Sequence, residues 1–274
     1  MSALRSLALA GTIRTAGLRV VPDYVIVGGK RCGSTSLQAW LTNHPSVVPS
    51  HSGKGTHFFD ENYPKGEAWF RGHFPLALTM RARAMQRPGR VVTGEASPYY
   101  CFHPAALSRI AEHLPDVKVI FVLREPVSRA WSHWRYERRR GFEALDIHAA
   151  LDAEPERLRG EEERLLDDPM YVSWNHRHFS YMSRGLYADQ LGRCLRLFPR
   201  DQVLVLEFSK LFGEGDSAAQ VCRFLEIAEV EVPLPRLESG GVDDAVPDDV
   251  RARLEPAYRQ SNRWLAEEFG VGFN

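Results

Sequence analysis

The chain has 274 residues, its 35 Lys and Arg are balanced by 35 Asp and Glu, and 44% of its residues are hydrophobic. This length suits one large α/β domain or two small ones, and the charge balance excludes a protein that holds nucleic acid or another polyanion through net charge. The cysteines, Cys32, Cys101, Cys194 and Cys222, are scattered without a C-x-x-C pair, which argues against a disulfide frame or zinc site and for reduced thiols in a cytoplasmic protein.

Met1 to Val21 is mildly apolar, with Arg5, Arg14 and Arg19 spread through it. The apolar run Leu7 to Ala10 is too short for a membrane span or a signal-peptide core. The segment reads as a lead-in, residues 1–21, to a single domain over 22–274, and its arginines leave a weak membrane-surface contact open. An apolar run, Val25 to Val27, then stops at Gly28 and Gly29; Lys30, Arg31, Cys32 and Gly33 follow, then the hydroxyls Ser34, Thr35 and Ser36, and a helix begins by Leu37. A strand, a glycine-rich turn and a helix in this order aim unpaired amides and the helix dipole at one spot, where an anion is favoured. A nucleotide-hydrolysing P-loop reads G-x-x-x-x-G-K-[ST]. Gly28 and Gly33 have that separation, but Ser34 stands where the lysine belongs, and the cations lie inside the loop. From this stretch alone, an anion site and a tight turn with an incidental basic pair both stand.

Farther on, a polar loop over Ser50 to Thr56 leads into His57-Phe58-Phe59-Asp60. Residues 65–87 read as helix in two pieces broken at Pro75. A second strand is predicted over Arg90 to Thr93, running into Gly94-Glu95-Ala96-Ser97-Pro98-Tyr99-Tyr100. Leu107, Ile110, Ala111 and Leu114 make a helical stripe over 103–114. Val117 to Leu123 is nearly continuous apolar and β-branched, the pattern of a buried parallel strand. It ends at Arg124-Glu125-Pro126, before a helix through Arg129 to Arg140. Residues 143–168 are so charged that they read as exposed helices or a mobile lid. Tyr187, Leu191, Cys194, Leu195 and Phe198 line one helix face; a strand over Gln202 to Phe208, a helix over Ala218 to Glu229, a loop over 232–248 and a helix over 249–269 broken near Pro256 complete the chain. Strands alternating with helices predict an α/β fold: a P-loop-like three-layer α/β/α arrangement with a central parallel sheet and its ligand crevice at the strand C-terminal ends.

Arg124 leaves a strand end and Ser132 lies two turns into the next helix. The two could hold a second phosphate, or Arg124 could form a salt bridge with Glu125 or Glu95. Taken together, the two loops resemble the sulfotransferase family that uses 3′-phosphoadenosine 5′-phosphosulfate (PAPS). Arg31-Cys32-Gly33-Ser34-Thr35 resembles its 5′-phosphosulfate loop, and Leu123 to Ser132 its 3′-phosphate motif. Further similarity lies in His57 to Asp60, in Gly94 to Tyr100, and in Ser183-Arg184-Gly185-Leu186-Tyr187 leading to Phe198-Pro199. The match is with the bacterial and heparan-type branch, and it covers about residues 22–270.

The resemblance implies in-line transfer of a sulfo group from PAPS to an acceptor hydroxyl or amine, leaving PAP, with no metal required. It implies that the loop amides of Gly33, Ser34 and Thr35, with Cys32 and Ser36 beside them, cradle the 5′-phosphate, that Lys30 helps neutralise it, and that Arg124 and Ser132 take the 3′-phosphate, with Arg184 as a further phosphate contact. Arg31 stands where many relatives carry a catalytic lysine and would stabilise the leaving oxygen. Heparan-type relatives place a glutamate base two residues before the His-Phe-Phe segment, where this chain has Gly55. His57 is the first replacement, since imidazole titrates near neutral pH; Glu95 is the second. A structural histidine orienting the loop, and an ion pair of Glu95 with a loop cation, remain the plainer readings. Ala96 replaces a lysine common in relatives, and 238–248 offers no counterpart to their lysine- and glycine-rich closing loop. Arg135, Arg138, Arg139 and Arg140 read as a solvated helix face or as cations for an anionic acceptor, and Trp131, Trp134 and Trp174 as core or pocket wall. The acceptor is expected to be a small molecule, lipid or glycan, with no nucleic acid partner. A P-loop kinase, or a homologue that binds PAP without catalysis, are the other readings.

Overall fold

A strand that is apolar at every position has to be covered on both faces. Tyr24–Gly28 (β1) is such a strand, with every residue buried, and Lys118–Leu123 (β3) is one from Val119 on. With Gly94–Ala96 (β2) and Val203–Glu207 (β4) they form a parallel sheet in the order β2-β1-β3-β4. The computed structural model describes residues 11–53, 55–86, 89–211, 216–230 and 245–273. The helices that build the layers are α1 (Ser34–Asn43), α2 (Ala106–His113), α3 (Pro126–Arg139), α4 (Ile147–Leu158), α5 (Tyr187–Leu195), α6 (Ser217–Leu225) and α7 (Asp248–Phe269).

Alternation along the strands sorts the core into two sheets of side chains. Tyr24, Ile26, Ile120, Val122, Leu204 and Leu206 pack with Leu37 and Leu41 of α1 and Val221 and Leu225 of α6. Val25, Val27, Val119, Phe121 and Leu123 pack on the other face with Leu107 and Ile110 of α2 and Leu191 and Cys194 of α5. A third cluster joins α3, α4 and α7 through Val127, Ala130, Leu151, Leu254 and Tyr258. This is the three-layer α/β arrangement expected. Because the chain goes from β1 outward to β2 and then returns to β3 on the other side of β1, the loops after β1 and β3 diverge at a topological switch point, where a crevice opens.

Several expected boundaries move, each for a physical reason. The second strand begins at Gly94, not Arg90: Val92 makes only an isolated bridge to Val47. A Cβ on Gly94 would lie 2.5 Å from the Tyr24 carbonyl oxygen, so the glycine is where the two backbones can close up. Helix α7 runs through Pro256 without the expected break. Burial of Leu254 and Tyr258 on either side of it outweighs one missing amide bond. The charged stretch 143–168 forms α4 and a short helix, Glu161–Asp167, with most of its charges exposed as expected, but three carboxylates anchor it: Glu143, Glu154 and Glu161 are buried. Glu154 accepts the Met182 amide at 2.7 Å and the Ser183 amide at 2.9 Å. The two helical pieces around Pro75 appear as Glu67–Arg71 and Ala77–Met85. In the lead-in, Arg19 ties Thr12 and Phe74 carbonyls together; residues 1–10 and 231–244, including most of the expected 232–248 loop, lie outside the described residues.

Candidate functional site

The crevice holds a cleft of about 280 Å³, lined from the first loop by Lys30, Arg31, Gly33, Ser34, Thr35 and Ser36. Gly33 caps α1 with φ +90°, and Arg31 is also left-handed at φ +70°. A Cβ on Gly33 would meet the Phe208 ring at 2.9 Å, so glycine alone allows the loop to fold down onto the helix start. The Ser36 and Leu37 amides are taken by the Gly33 carbonyl, and Ser34, Thr35 and Ser36 line the cleft. Cys32 turns inward: it is fully buried, with Sγ 3.7 Å from the Tyr187 hydroxyl and its amide on the Gly29 carbonyl.

The loop after β3 meets the first one. Arg31 Nε donates to Ser132 Oγ at 3.1 Å, and its guanidinium lies 4.9 Å from the Tyr136 ring centroid. Burial pushes the Arg31 guanidinium below its ordinary pKa, and the neighbouring Arg139 and Arg124 charges add to that. Arg124 stacks over Phe208, 5.0 Å from its centroid, beside the same ring that backs Gly33. Glu125 caps α3 by accepting the Val127 and Ser128 amides, and Pro126 opens the helix. That cap fixes where Ser132 emerges. Ser132, Tyr136 and Arg140 lie four residues apart, on one face of α3; Tyr136 and Arg140 line the cleft.

The opposite wall is the loop carrying His57. Its shape is set by the segment after β2. Glu95 is fully buried; it accepts the Thr56 amide at 2.5 Å and the Tyr100 hydroxyl at 2.9 Å. Burial raises the Glu95 carboxyl above its ordinary range. The Tyr100 hydroxyl in turn accepts the Phe58 amide at 2.8 Å, and Ser97 Oγ accepts the His57 amide at 3.1 Å. Glu95 therefore holds the loop and does not line the cleft, whereas His57 does. His57 is left-handed at φ +50°, and its Nδ1 sits 2.9 Å from the buried Asp60 Oδ2. An ionised carboxylate only accepts, so Nδ1 carries the proton and Nε2 is the acceptor. A Cβ on Gly55 would stand 2.2 Å from the Ala96 carbonyl oxygen and 2.4 Å from Ser97 Oγ: the loop runs too close to β2 for any side chain there.

Three further cleft residues come from the 174–184 region: Arg177, His178 and Arg184. Arg184 is braced rather than extended, donating to Ser180 Oγ at 2.6 Å and to the His176 and Arg177 carbonyls, with Tyr99 and Phe102 stacked against it. Arg177 pairs with Glu61. Lys30 is also engaged, its ammonium 2.6 Å from Glu137 Oε1. Among the described residues, His57, Asp60 and Glu61 bring metal-ligand-type atoms within 4.8 Å of one another, but Asp60 is committed to His57 and Glu61 to a guanidinium. The i, i+4, i+8 spacing from Ser132 was a sequence signal for Tyr136 and Arg140. Nothing local marks Arg177, His178 or Glu137.

Comparison with known proteins adds a second line. The family model for the sulfotransferase domain matches residues 21–236. Heparan sulfate glucosamine 3-O-sulfotransferase 6 of Mus musculus is 31% identical over 289 residues, covering 94% of this chain and 74% of that protein. Membrane-associated sulfotransferase kil1 of Dictyostelium discoideum is 22% identical, covering 90% of this chain; the chain spans 65% of its length, and 44% of heparan sulfate glucosamine 3-O-sulfotransferase 3B1 of Mus musculus. Among solved structures, a sulfotransferase from Alicyclobacillus acidocaldarius superposes with a TM-score of 0.67 at 27% identity, over 93% of this chain and 98% of that one. Among the described residues no helix is long and apolar enough to cross a membrane.

Proposed function

The chain belongs to the sulfotransferase domain family, and we propose on that premise that it moves the sulfo group of PAPS to a hydroxyl or amine of a glycan, lipid or small-molecule acceptor. The observation that carries this reading is the 3.1 Å bond from Arg31 to Ser132, which joins the two loops at the switch point. In this reading the Gly33 to Ser36 turn receives the 5′-phosphate and Arg124 with Ser132 the 3′-phosphate. A site for both phosphates selects PAPS over ATP, and Ser34 in place of the P-loop lysine disfavours a kinase.

The acceptor oxygen attacks sulfur as the bond from sulfur to the bridging oxygen of the 5′-phosphate breaks, and PAP leaves. Arg31 faces the charge that grows on that bridging oxygen. His57 Nε2 takes the acceptor proton while Asp60 holds Nδ1–H, which keeps the ring in the tautomer that can accept. Glu95 serves by fixing the His57 loop. The continuous packing of the two core layers supports treating 22–274 as one domain, and the four free, buried cysteines fit a reducing, cytoplasmic setting.

The test uses labelled PAPS, an acceptor panel, and Arg31→Ala and Arg124→Ala. Each variant should bind PAP about tenfold more weakly, ~1.4 kcal/mol. Two variants that hold PAP as tightly as the wild type would sink the assignment of both loops. Tight PAP binding with no transfer to any acceptor would favour a non-catalytic binder, a reading that the absence of a side chain at Gly55 keeps open.

A further inference from the structure

Behind the cleft face of α3 runs a second row at the same spacing, Arg129, His133 and Glu137, all with 0% exposure. A buried carboxylate persists only with partners, and those of Glu137 come from three parts of the chain. Its Oε1 is 2.6 Å from Lys30 Nζ and 3.4 Å from His133 Nε2, and its Oε2 is 3.0 Å from His178 Nδ1. Burial would raise this carboxyl, but the His133 and His178 hydrogen bonds and the Lys30 charge outweigh it and hold it well below the usual carboxylate range. Lys30 Nζ has one further acceptor, the Arg177 carbonyl at 3.1 Å. An ammonium has three N–H groups; two go to these acceptors, and Lys30 also lines the cleft.

Resting on the PAPS reading above, we propose that Glu137 is a positioning residue for the transfer: it holds the Lys30 ammonium at the cleft wall with its third N–H available to an oxygen of the transferred sulfo group. Glu137 itself touches no substrate; it acts through Lys30.

The arrangement has a pH signature. The charged and titratable groups facing Lys30 are Glu137, Arg177, Arg184, His133, His178 and Tyr136, whose ring centroid lies 5.9 Å from Nζ. Burial pushes the lysine below its ordinary pKa, Arg184 and Arg177 push the same way, and Glu137 alone opposes them. Burial also lowers both histidines. Without the Glu137 charge, Lys30 gives up its proton at a lower pH, and turnover falls on the alkaline side earlier.

The experiment measures PAP binding and PAP release from labelled PAPS, with water as acceptor if no better one is found, for the wild type, Glu137→Gln, Glu137→Asp, Lys30→Met and the Glu137→Gln/Lys30→Met double variant. Glu137→Gln should bind PAP, which lacks the sulfo group, within about twofold of wild type, lose about tenfold in kcat, and show an alkaline limb moved to lower pH. The double variant should be no worse than Lys30→Met. Glu137→Asp keeps the charge and should keep the wild-type alkaline limb; it carries the test if the glutamine variant fails to fold. A wild-type kcat and pH profile in Glu137→Gln, or losses that multiply in the double variant, would overturn the proposal while PAP binding by the wild type leaves the PAPS reading intact. A wild type that binds no PAP overturns that reading itself.

Discussion

His57 reaches the cleft because of groups that hold its backbone as well as its ring. Glu95, Ser97 and Tyr100 take the amides around it, and Asp60 takes Nδ1. In the proposed mechanism His57→Ala should lower kcat by about 10²–10⁴ with PAP affinity unchanged. Asp60→Asn should cost less, about tenfold, since the ring can still flip into use. Full activity in His57→Ala would remove the residue from the chemistry. At this scale the sequence was informative where a residue's task depends on near neighbours. Arg31, Gly33 to Ser36, Arg124 and Ser132 sit in motifs whose spacing dictates a turn and a helix start. It was uninformative where the partner lies far along the chain. In the sequence Lys30 reads as a plain counter-charge, because Glu137, 107 residues away, is not beside it until the helix is packed. Glu95 reads in the sequence as a candidate base because a carboxylate at a strand end has the right type; its burial against the Thr56 amide, away from the cleft, is not legible there.

Among the elements, the strongly apolar strands and the amphipathic helices were legible because burial is written into their periodicity. In the stretch 143–168 the exposed helices are legible but their anchors are not, since a carboxylate that caps and one that is solvated look alike in sequence. Glu143 illustrates the difference. It accepts both guanidinium nitrogens of Arg157, at 2.6 and 3.2 Å, and the Tyr181 hydroxyl at 3.0 Å. Burial alone would raise its carboxyl, but Arg157, the Leu145 amide and Tyr181 outweigh it and hold it below the ordinary 4.5. A carboxyl lower in the folded chain than in the unfolded one stabilises above the unfolded value, and that contribution is lost as the pH falls through the folded one. Glu143→Gln should therefore cost about 2 kcal/mol near neutrality and flatten the fall in Tm below pH 4.5. Parallel Tm-against-pH curves for variant and wild type would show that the pairing contributes nothing.

At the scale of the whole molecule, the two motif loops are joined a second time by a residue from neither. The Tyr187 hydroxyl, at the start of α5, donates to the Arg124 carbonyl at 2.8 Å and lies beside Cys32 of the first loop. Its helix packs on α7, and Gly185 just before it is pressed against Tyr258 of α7, where a Cβ would meet the ring at 2.6 Å. Tyr187→Phe removes one hydrogen bond, about 1 kcal/mol of stability, yet should weaken PAP binding by about fivefold, readable by titration calorimetry. Unchanged PAP affinity would mean that the loops hold their spacing without it. The tyrosine's place has a consequence for engineering. Residues 22–140 carry both phosphate-loop motifs, but the brace that sets one loop against the other arrives with residues 183–187 and is itself backed by the C-terminal helix. The proposed nucleotide site is thus not a cassette that can be cut out and grafted: a transplant of the two loops alone would carry the signature without the geometry.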